Sequence, residues 1–169
     1  MSVLISNDGG IQVPIDADEI VQVIQAVLSA EAVERECSVS VSIVDEDEIQ
    51  SLNAMWRQID VPTDVLSFEC DSPFGDEVPD GEVVELGDVI LCPAVIAAQA
   101  PDFNTTPADE FRLMLVHGML HLLGYDHIDS DDAARMEDRE LVILRGLAQV
   151  RGIDPQSIVI GPTTSHLDD

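Results

Sequence analysis

Residues 117–127 read His-Gly-Met-Leu-His-Leu-Leu-Gly-Tyr-Asp-His and contain three of the four histidines in the chain. They overlap an apolar run, residues 113–123, which follows a clear helix start with Thr106 as the capping residue and Pro107 at the first helical position. We therefore predict a helix that ends near Leu123 and is buried, because its sequence is apolar on nearly every side. Gly124 is well placed to end this helix in the left-handed conformation.

The spacing of the three histidines predicts a catalytic zinc site. His117 and His121 are four residues apart, so a helix places their imidazoles on one face. The turn at Gly124 can bring His127 to the same point. Three neutral imidazoles bind zinc at about 2.0–2.1 Å and leave a fourth position for water, whose pKa zinc lowers to about 7. We predict one Zn²⁺ per chain, held by His117, His121 and His127.

The alternative is that these are core histidines with ordinary hydrogen-bond partners. Burying an unpaired imidazole costs on the order of 1–3 kcal/mol. The predicted helix offers almost no other polar group near the two histidines. Two such residues on one helix face therefore favour a metal as their partner. His166, alone near the end of the sequence, is predicted to be an ordinary surface residue.

Outward from this helix, predicted strands and helices interleave. Alternating small polar and β-branched residues predict a strand at 38–44, and shorter strands are expected at 3–6, 64–68 and 87–92. Helices are expected at 19–30, 45–56 and 93–100, and a further helix is expected to begin at a capping Ser130. The predicted fold class is α/β, in the α+β sense. It is a single domain with a small mixed β-sheet packed by helices, and the zinc site lies on the buried helix and the loop after it.

Two segments are predicted to lie outside the packed core. Residues 71–85 contain six carboxylates and no positive charge, which is typical of a mobile, solvated surface loop. The domain is expected to occupy residues 1–150. Residues 151–169 are expected to form a loosely docked or disordered tail.

Composition limits the partners that this chain can have. Its 169 residues include 34 acidic side chains against seven arginines and no lysine, for a net charge of −27. Binding to nucleic acid through a general positive field is therefore excluded, and DNA is not expected as a ligand. The N-terminus does not resemble a signal peptide and no apolar run is long enough to cross a bilayer. We therefore expect no membrane contact and a cytoplasmic location.

The spacing His-x-x-x-His-x-x-Gly-x-x-His also resembles the motif of the metzincin proteases. Those proteases carry a glutamate directly after the first histidine as the general base, whereas this chain has Gly118 there. A metzincin-like metalloprotease without the usual glutamate is therefore one alternative. The missing base favours a zinc hydrolase of another kind.

The chain more closely resembles the YbeY family, the bacterial single-strand-specific metallo-endoribonucleases. The resemblance covers residues 39–147 and rests on four blocks in the family's order. These are Leu52-Asn53 with Trp56-Arg57 and Pro62-Thr63-Asp64-Val65-Leu66-Ser67-Phe68, then Leu86-Gly87-Asp88-Val89-Ile90, then residues 117–127, and finally Met136, Glu140 and Ile143-Leu144. The chain departs from the family in having Trp56 where a tyrosine is usual, and in having no lysine just after Arg57.

The resemblance implies a mixed αβ fold and zinc-dependent hydrolysis of phosphodiester bonds in single-stranded RNA. It also implies maturation of the 3′ end of small-subunit (16S) rRNA and a part in ribosome quality control. The partners would be single-stranded RNA or rRNA and the ribosomal small subunit or its basic proteins. By position, His117, His121 and His127 are the zinc ligands, and Arg57 is the catalytic arginine.

Several roles stay open at the level of sequence. Arg57 can grip a phosphate or pair with Asp60 or Asp64. Trp56 can stack on a base or belong to the core. Asp126 can orient a histidine, move a proton or cap the turn. A non-enzymatic alternative is a zinc-stabilised adaptor that docks on the ribosome through its acidic surface.

Overall fold

Four strands and five α-helices make up the part of the chain that the computed structural model describes, residues 1–161. The strands are β1 (Ser2–Ser6), β2 (Cys37–Ile43), β3 (Val65–Glu69) and β4 (Val84–Leu91). The helices are α1 (Ala17–Ala30), α2 (Glu46–Arg57), α3 (Pro93–Gln99), α4 (Pro107–Leu122) and α5 (Ser130–Val150). Short 3-10 turns follow at Ala100–Phe103 and Pro155–Ser157.

The strands form one mixed sheet in the order β1-β2-β4-β3, which confirms the predicted fold class. β1, β2 and β4 run parallel, while β3 runs antiparallel to β4 and lies at the edge. Gly87 lies where the register between β2 and β4 shifts, and its φ is 129°. A Cβ atom there would lie 2.0 Å from the carbonyl oxygen of Phe68. Only glycine therefore permits this close approach of β3 to β4.

Different helices cover the two faces of the sheet. Val89 and Leu91 of β4 belong to the main core, whereas Ile90 between them packs against a smaller cluster. The main core is completed by α1, α4 and α5. The smaller cluster lies under α2, where Ile49 packs with Leu66 of β3. This period-two alternation gives three layers, with the sheet in the middle.

Helix α4 lies at the centre of the main core, between the sheet and the other helices. The Thr106 hydroxyl accepts a hydrogen bond from the backbone N–H of Asp109 at 3.2 Å, and Pro107 is the first helical residue, as predicted. The helix packs against β3 and β4 and contacts α1, α3 and α5, so it is covered on nearly all sides. Gly124 follows it with a φ of 100°, which confirms the predicted left-handed turn.

The cap of α5 differs from the predicted one. Asp129, not Ser130, precedes the first helical turn, and its carboxylate accepts a hydrogen bond from the backbone N–H of Asp132 at 2.8 Å. Both residue types are good caps, and a carboxylate also interacts favourably with the positive end of the helix dipole. Ser130 is therefore the first residue of the helix itself.

The acidic segment is shorter than predicted, because β4 begins at Val84. The N–H groups of Arg35 donate to the carbonyl oxygens of Val78 and Pro79 at 2.8 and 2.7 Å. These bonds tie the middle of the loop to the start of β2. Charge composition alone did not predict this anchor, because it depends on one distant arginine.

The segment after α5 returns to the body of the protein. Arg145 donates to the carbonyl oxygen of Ile158 at 3.3 Å, and the side chains of Ile158 and Ile160 pack against the main core. Residues 162–169, including His166, lie outside the described residues. The predicted tail and the domain boundary at residue 150 stay predictions. No helix within residues 1–161 is both long and apolar enough to cross a lipid bilayer.

Candidate metal centre

Helix α4 and the turn after it bring the three predicted ligands together. His117 and His121 lie one helical turn apart, with ring centroids separated by 4.6 Å and ring planes at 90°. The turn at Gly124 returns the chain, so that the His127 ring lies 5.1 Å from that of His121 and 5.7 Å from that of His117. One nitrogen of each ring lies within 4.8 Å of the other two. The cluster therefore has the dimensions to hold a metal ion.

Two of the rings are oriented by acceptors behind them. Nδ1 of His117 lies 2.5 Å from Oε2 of Glu140 on α5, and both side chains are fully buried. Nδ1 of His121 lies 2.9 Å from the backbone carbonyl oxygen of Tyr125. A carbonyl or a carboxylate oxygen accepts, so Nδ1 carries the proton in both rings. An imidazole that carries its single proton on Nδ1 presents its Nε2 lone pair to the centre of the cluster.

The inward nitrogens fit a cation better than they fit one another. Nε2 of His117 and Nε2 of His121 lie 3.1 Å apart. With both protons on Nδ1, two lone pairs face each other at this distance, and a hydrogen bond between them would require an additional proton. Nε2 of His127 is buried and has no hydrogen-bond partner within residues 1–161. A metal ion would satisfy all three nitrogens, so the donor set fits one.

The surroundings keep His121 in the neutral form that a metal requires. Its pKa falls from 6.5 to about 4, first because the ring is buried and then because His117 and His127 lie beside it. The Tyr125 carbonyl and the Asp126 carboxylate act in the opposite direction. The imidazole is therefore uncharged at neutral pH, and its lone pair can coordinate.

A groove of about 630 Å³ opens beside the histidines. His121 and His127 line one part of it, and all five residues of the edge strand β3 line another. Trp56, Arg57 and Ile128 complete the apolar and cationic parts of the lining. The volume lies within the range of roughly 300–1,000 Å³ that is typical of ligand sites. The groove is therefore large enough to receive a substrate at the metal centre.

Arg57 stands in the last turn of α2 and borders this groove. Asp60 and Asp64, the two carboxylates considered as ion-pair partners of Arg57, do not pair with it. Asp60 accepts a hydrogen bond from Gln50 at 3.1 Å, and Asp64 accepts one from Gln99 at 2.9 Å. Within residues 1–161 the Arg57 guanidinium makes no ion pair. Its five N–H donors therefore remain for a ligand in the groove.

Three further residues that line the groove have defined contacts or exposure. The carboxylate of Asp126 accepts a hydrogen bond from the backbone N–H of His127 at 2.7 Å, so it caps the turn. The hydroxyl of Ser67 donates to the carbonyl oxygen of Gly118 at 3.0 Å, which ties β3 to α4. Trp56 is 61% exposed and lines the groove, so it does not belong to the core.

Gly118 lies at a tight contact between α4 and the sheet. A Cβ atom at this position would lie 2.8 Å from Cγ1 of Val89, 3.1 Å from Oγ of Ser67 and 3.2 Å from Cγ2 of Val65. A glutamate has no room here unless these side chains shift. The general base of the metzincin proteases is thus missing from the sequence, and the fold has no space for it.

Sequence reasoning did not identify Glu140 as the partner of His117, although a signal was present. Met136, Ile143 and Leu144 mark the buried face of α5, and Glu140 lies on that face. A carboxylate on an apolar helix face requires a buried partner. The contact of His121 with the Tyr125 carbonyl oxygen could not be predicted in this way, because every residue type has a backbone carbonyl.

Comparison with known proteins is consistent with this geometry. The family profile described as Endoribonuclease YbeY matches residues 6–148. An endoribonuclease YbeY of Salinispora tropica is 39% identical over 86% of this chain and 92% of its own length. Another, from Legionella pneumophila (strain Corby), is 37% identical over 85% of this chain and 87% of its own length. A Thermotoga maritima protein solved in solution superposes with a TM-score of 0.57 at 25% identity, covering 89% of this chain and 91% of that one.

Proposed function

The chain belongs to the YbeY family and is an endoribonuclease, and on that premise we propose that it hydrolyses single-stranded RNA with one zinc ion held by His117, His121 and His127. The choice of these three ligands rests on the close approach of their imidazole nitrogens. Two Nε2 atoms face each other at 3.1 Å, and a third Nε2 is buried without a partner within residues 1–161. Three nitrogen ligands are the number typical of a catalytic zinc site.

The mechanism divides the work between the metal and this chain's own groups. When bound, zinc supplies Lewis acidity, which stabilises charge on phosphoryl oxygens and makes water a stronger acid. Glu140 and the Tyr125 carbonyl fix the rings of His117 and His121, so that the ligand nitrogens do not have to reorganise during the reaction. The edge strand β3 forms the neighbouring wall of the groove. A single-stranded RNA in an extended conformation can lie along this wall.

Arg57 is proposed to hold the phosphodiester that is cleaved. A guanidinium can donate two parallel N–H bonds to a phosphate, which fixes its orientation and offsets negative charge. The free guanidinium beside the histidines supports this role. Replacing Arg57 with Ala is expected to lower kcat/KM by about 10- to 150-fold, the equivalent of about 1.5–3 kcal/mol for hydrogen bonds to a charged group. Arg57→Lys should recover part of the loss, and Arg151→Ala serves as the control.

The biological substrate is proposed to be rRNA, with action at the 3′ end of the small-subunit (16S) rRNA and in ribosome quality control. The partners would be the small subunit or its basic proteins, and the location would be the cytoplasm. The net charge of −27 supports docking on basic proteins, because opposite charges attract and orient the two surfaces. The same charge argues against duplex DNA as a ligand.

The test compares three substrates with the zinc-loaded protein: single-stranded RNA, duplex RNA and casein. We expect internal cleavage of the single strand alone. His127→Ala should abolish that cleavage while circular dichroism shows a folded protein. Casein hydrolysis would instead support the metalloprotease. An adaptor would cleave none of the three, and would unfold when His121→Ala removes a ligand of its structural zinc.

A further inference from the structure

We propose that Trp56 is the base-stacking platform of the groove, so that the enzyme grips RNA through one nucleobase next to the scissile phosphate. This inference rests on the proposed function and adds the contact that positions the substrate. Trp56 is 61% exposed, although it is a large aromatic residue at the end of a helix. It lines the same groove as Arg57, His121 and His127. Base–aromatic stacking is the usual way in which proteins hold unpaired bases.

The Trp56 ring is held in place from the protein side. Its centroid lies 5.9 Å from that of Phe68, with the ring planes at 64°, which is an edge-to-face contact. Phe68 in turn packs against the smaller hydrophobic cluster under α2. The indole is therefore supported by a fixed neighbour while most of its surface remains open. An aromatic ring that is both oriented and exposed loses little entropy when a base stacks on it.

Charge gives an independent reason why the groove needs such a contact. Among its lining residues, the single arginine Arg57 stands against the carboxylates of Glu69 and Asp126. The whole chain carries a net charge of −27. Attraction between the protein and the RNA backbone is therefore confined to the metal and one guanidinium. Stacking does not depend on charge and every base has a π-face, so an aromatic platform can supply affinity where the electrostatic field opposes it.

The chain offers a direct probe, because Trp56 is its only tryptophan. Indole fluorescence is followed while the zinc-loaded protein is titrated with a short single-stranded RNA, at a temperature low enough that a gel shows the RNA intact after each titration. We expect quenching at saturation. An abasic residue is then placed at each position of the RNA in turn, and one position should lose most of the quenching.

Affinities measured by a method independent of the indole complete the test. Trp56→Ala is expected to weaken RNA binding about 5- to 150-fold, as for one stacked base. Trp56→Tyr should retain most of the affinity. Met55→Ala is the matched control, because Met55 is 66% exposed on the same helix turn but does not line the groove. In the Trp56→Ala protein, an abasic residue at the position that lost the quenching should no longer weaken RNA binding. The loss should be similar at low and high salt, unlike the loss caused by Arg57→Ala.

The outcomes separate this inference from the proposed function. If the Trp56→Ala protein binds RNA as tightly as the parent, or if all abasic positions weaken both proteins equally, the stacking platform is refuted. If the parent protein cleaves RNA normally in that case, the proposed function survives alone. If the parent neither binds nor cleaves single-stranded RNA, the proposed function and the inference that rests on it both fail.

Discussion

His117 and Glu140 form a hydrogen-bonded pair in which neither side chain is exposed to solvent. Carboxylates behind metal-binding histidines fix the ring orientation and increase the basicity of the ligand nitrogen. This pair also links α4 to α5, which are 23 residues apart at this point. Glu140 is therefore proposed as a positioning residue, which would act on a metal only through His117.

Removing the Glu140 carboxylate should weaken metal binding without removing a ligand. Glu140→Ala is expected to lower zinc affinity by about 10- to 100-fold, and Glu140→Gln by less, because the amide oxygen can still accept the Nδ1 proton. The measurement is competition for zinc with a chromophoric chelator. Asp138→Asn, an exposed acid on the same helix, is the control and should bind zinc like the parent. Equal affinity of all four proteins would contradict the role of Glu140.

The lowered pKa of His121 predicts a pH dependence of the metal-free protein. The folded ring takes up its proton at about pH 4, but the unfolded ring does so at 6.5. Between these values the unfolded state binds more protons, so acid favours unfolding. The contribution of His121 to the free energy of unfolding is therefore fully present above about pH 6.5 and is lost as the pH falls towards 4. The free energy lost over this range is at most about 3 kcal/mol. Chelator-treated parent and His121→Gln proteins are compared by urea unfolding at several pH values. Parallel pH dependences would contradict this account.

At the scale of elements, the α4 helix packs closely against β3 and β4 because Gly118 has no side chain. This contact sets the depth at which the neighbouring His117 lies. The His121 ring is one turn further on, at the mouth of the groove. The absence of a side chain at Gly118 thus allows α4, which carries His117 and His121, to lie close to the strand that lines the groove.

Two glycine-to-alanine substitutions separate helix propensity from packing. Gly146 lies in α5 and a Cβ there would meet nothing within 4 Å, so Gly146→Ala should stabilise the protein by up to about 1 kcal/mol. Gly118→Ala gains the same propensity but forces a methyl group to within 2.8 Å of Val89. Overpacking costs about 1–3 kcal/mol, so we expect it to be less stable than Gly146→Ala by that amount. Thermal unfolding measures the difference, and equal stabilisation by both substitutions would show that the contact is not tight.

At the scale of the whole molecule, the features predicted from sequence are those that local patterns determine. The cap at Thr106, the buried α4 and the turn at Gly124 follow from residue types and spacing within one segment. The meeting of His117, His121 and His127 could be predicted for the same reason, because a helix and one turn suffice to produce it. The mixed sheet followed from the interleaving of strands and helices.

The features that escaped prediction depend on contacts between distant segments. Glu140 reaches His117 across 23 residues, and Arg35 reaches the acidic loop across more than 40. The exposure of Trp56 and the free guanidinium of Arg57 depend on where α2 ends relative to β3, which no local pattern encodes. The choice of Asp129 over Ser130 as a cap is a competition between two adjacent good capping residues.

The proposed centre requires three imidazoles to bind one ion, and the metal content of the purified protein shows whether they do. Elemental analysis after dialysis should give about one zinc per chain for the parent and for His166→Ala, which removes the only histidine outside the cluster. His127→Ala, assayed in parallel and shown by circular dichroism to be folded, should lose most of its zinc. Stoichiometric zinc in the His127→Ala protein, or none in the parent after zinc is supplied, would contradict the three-histidine centre.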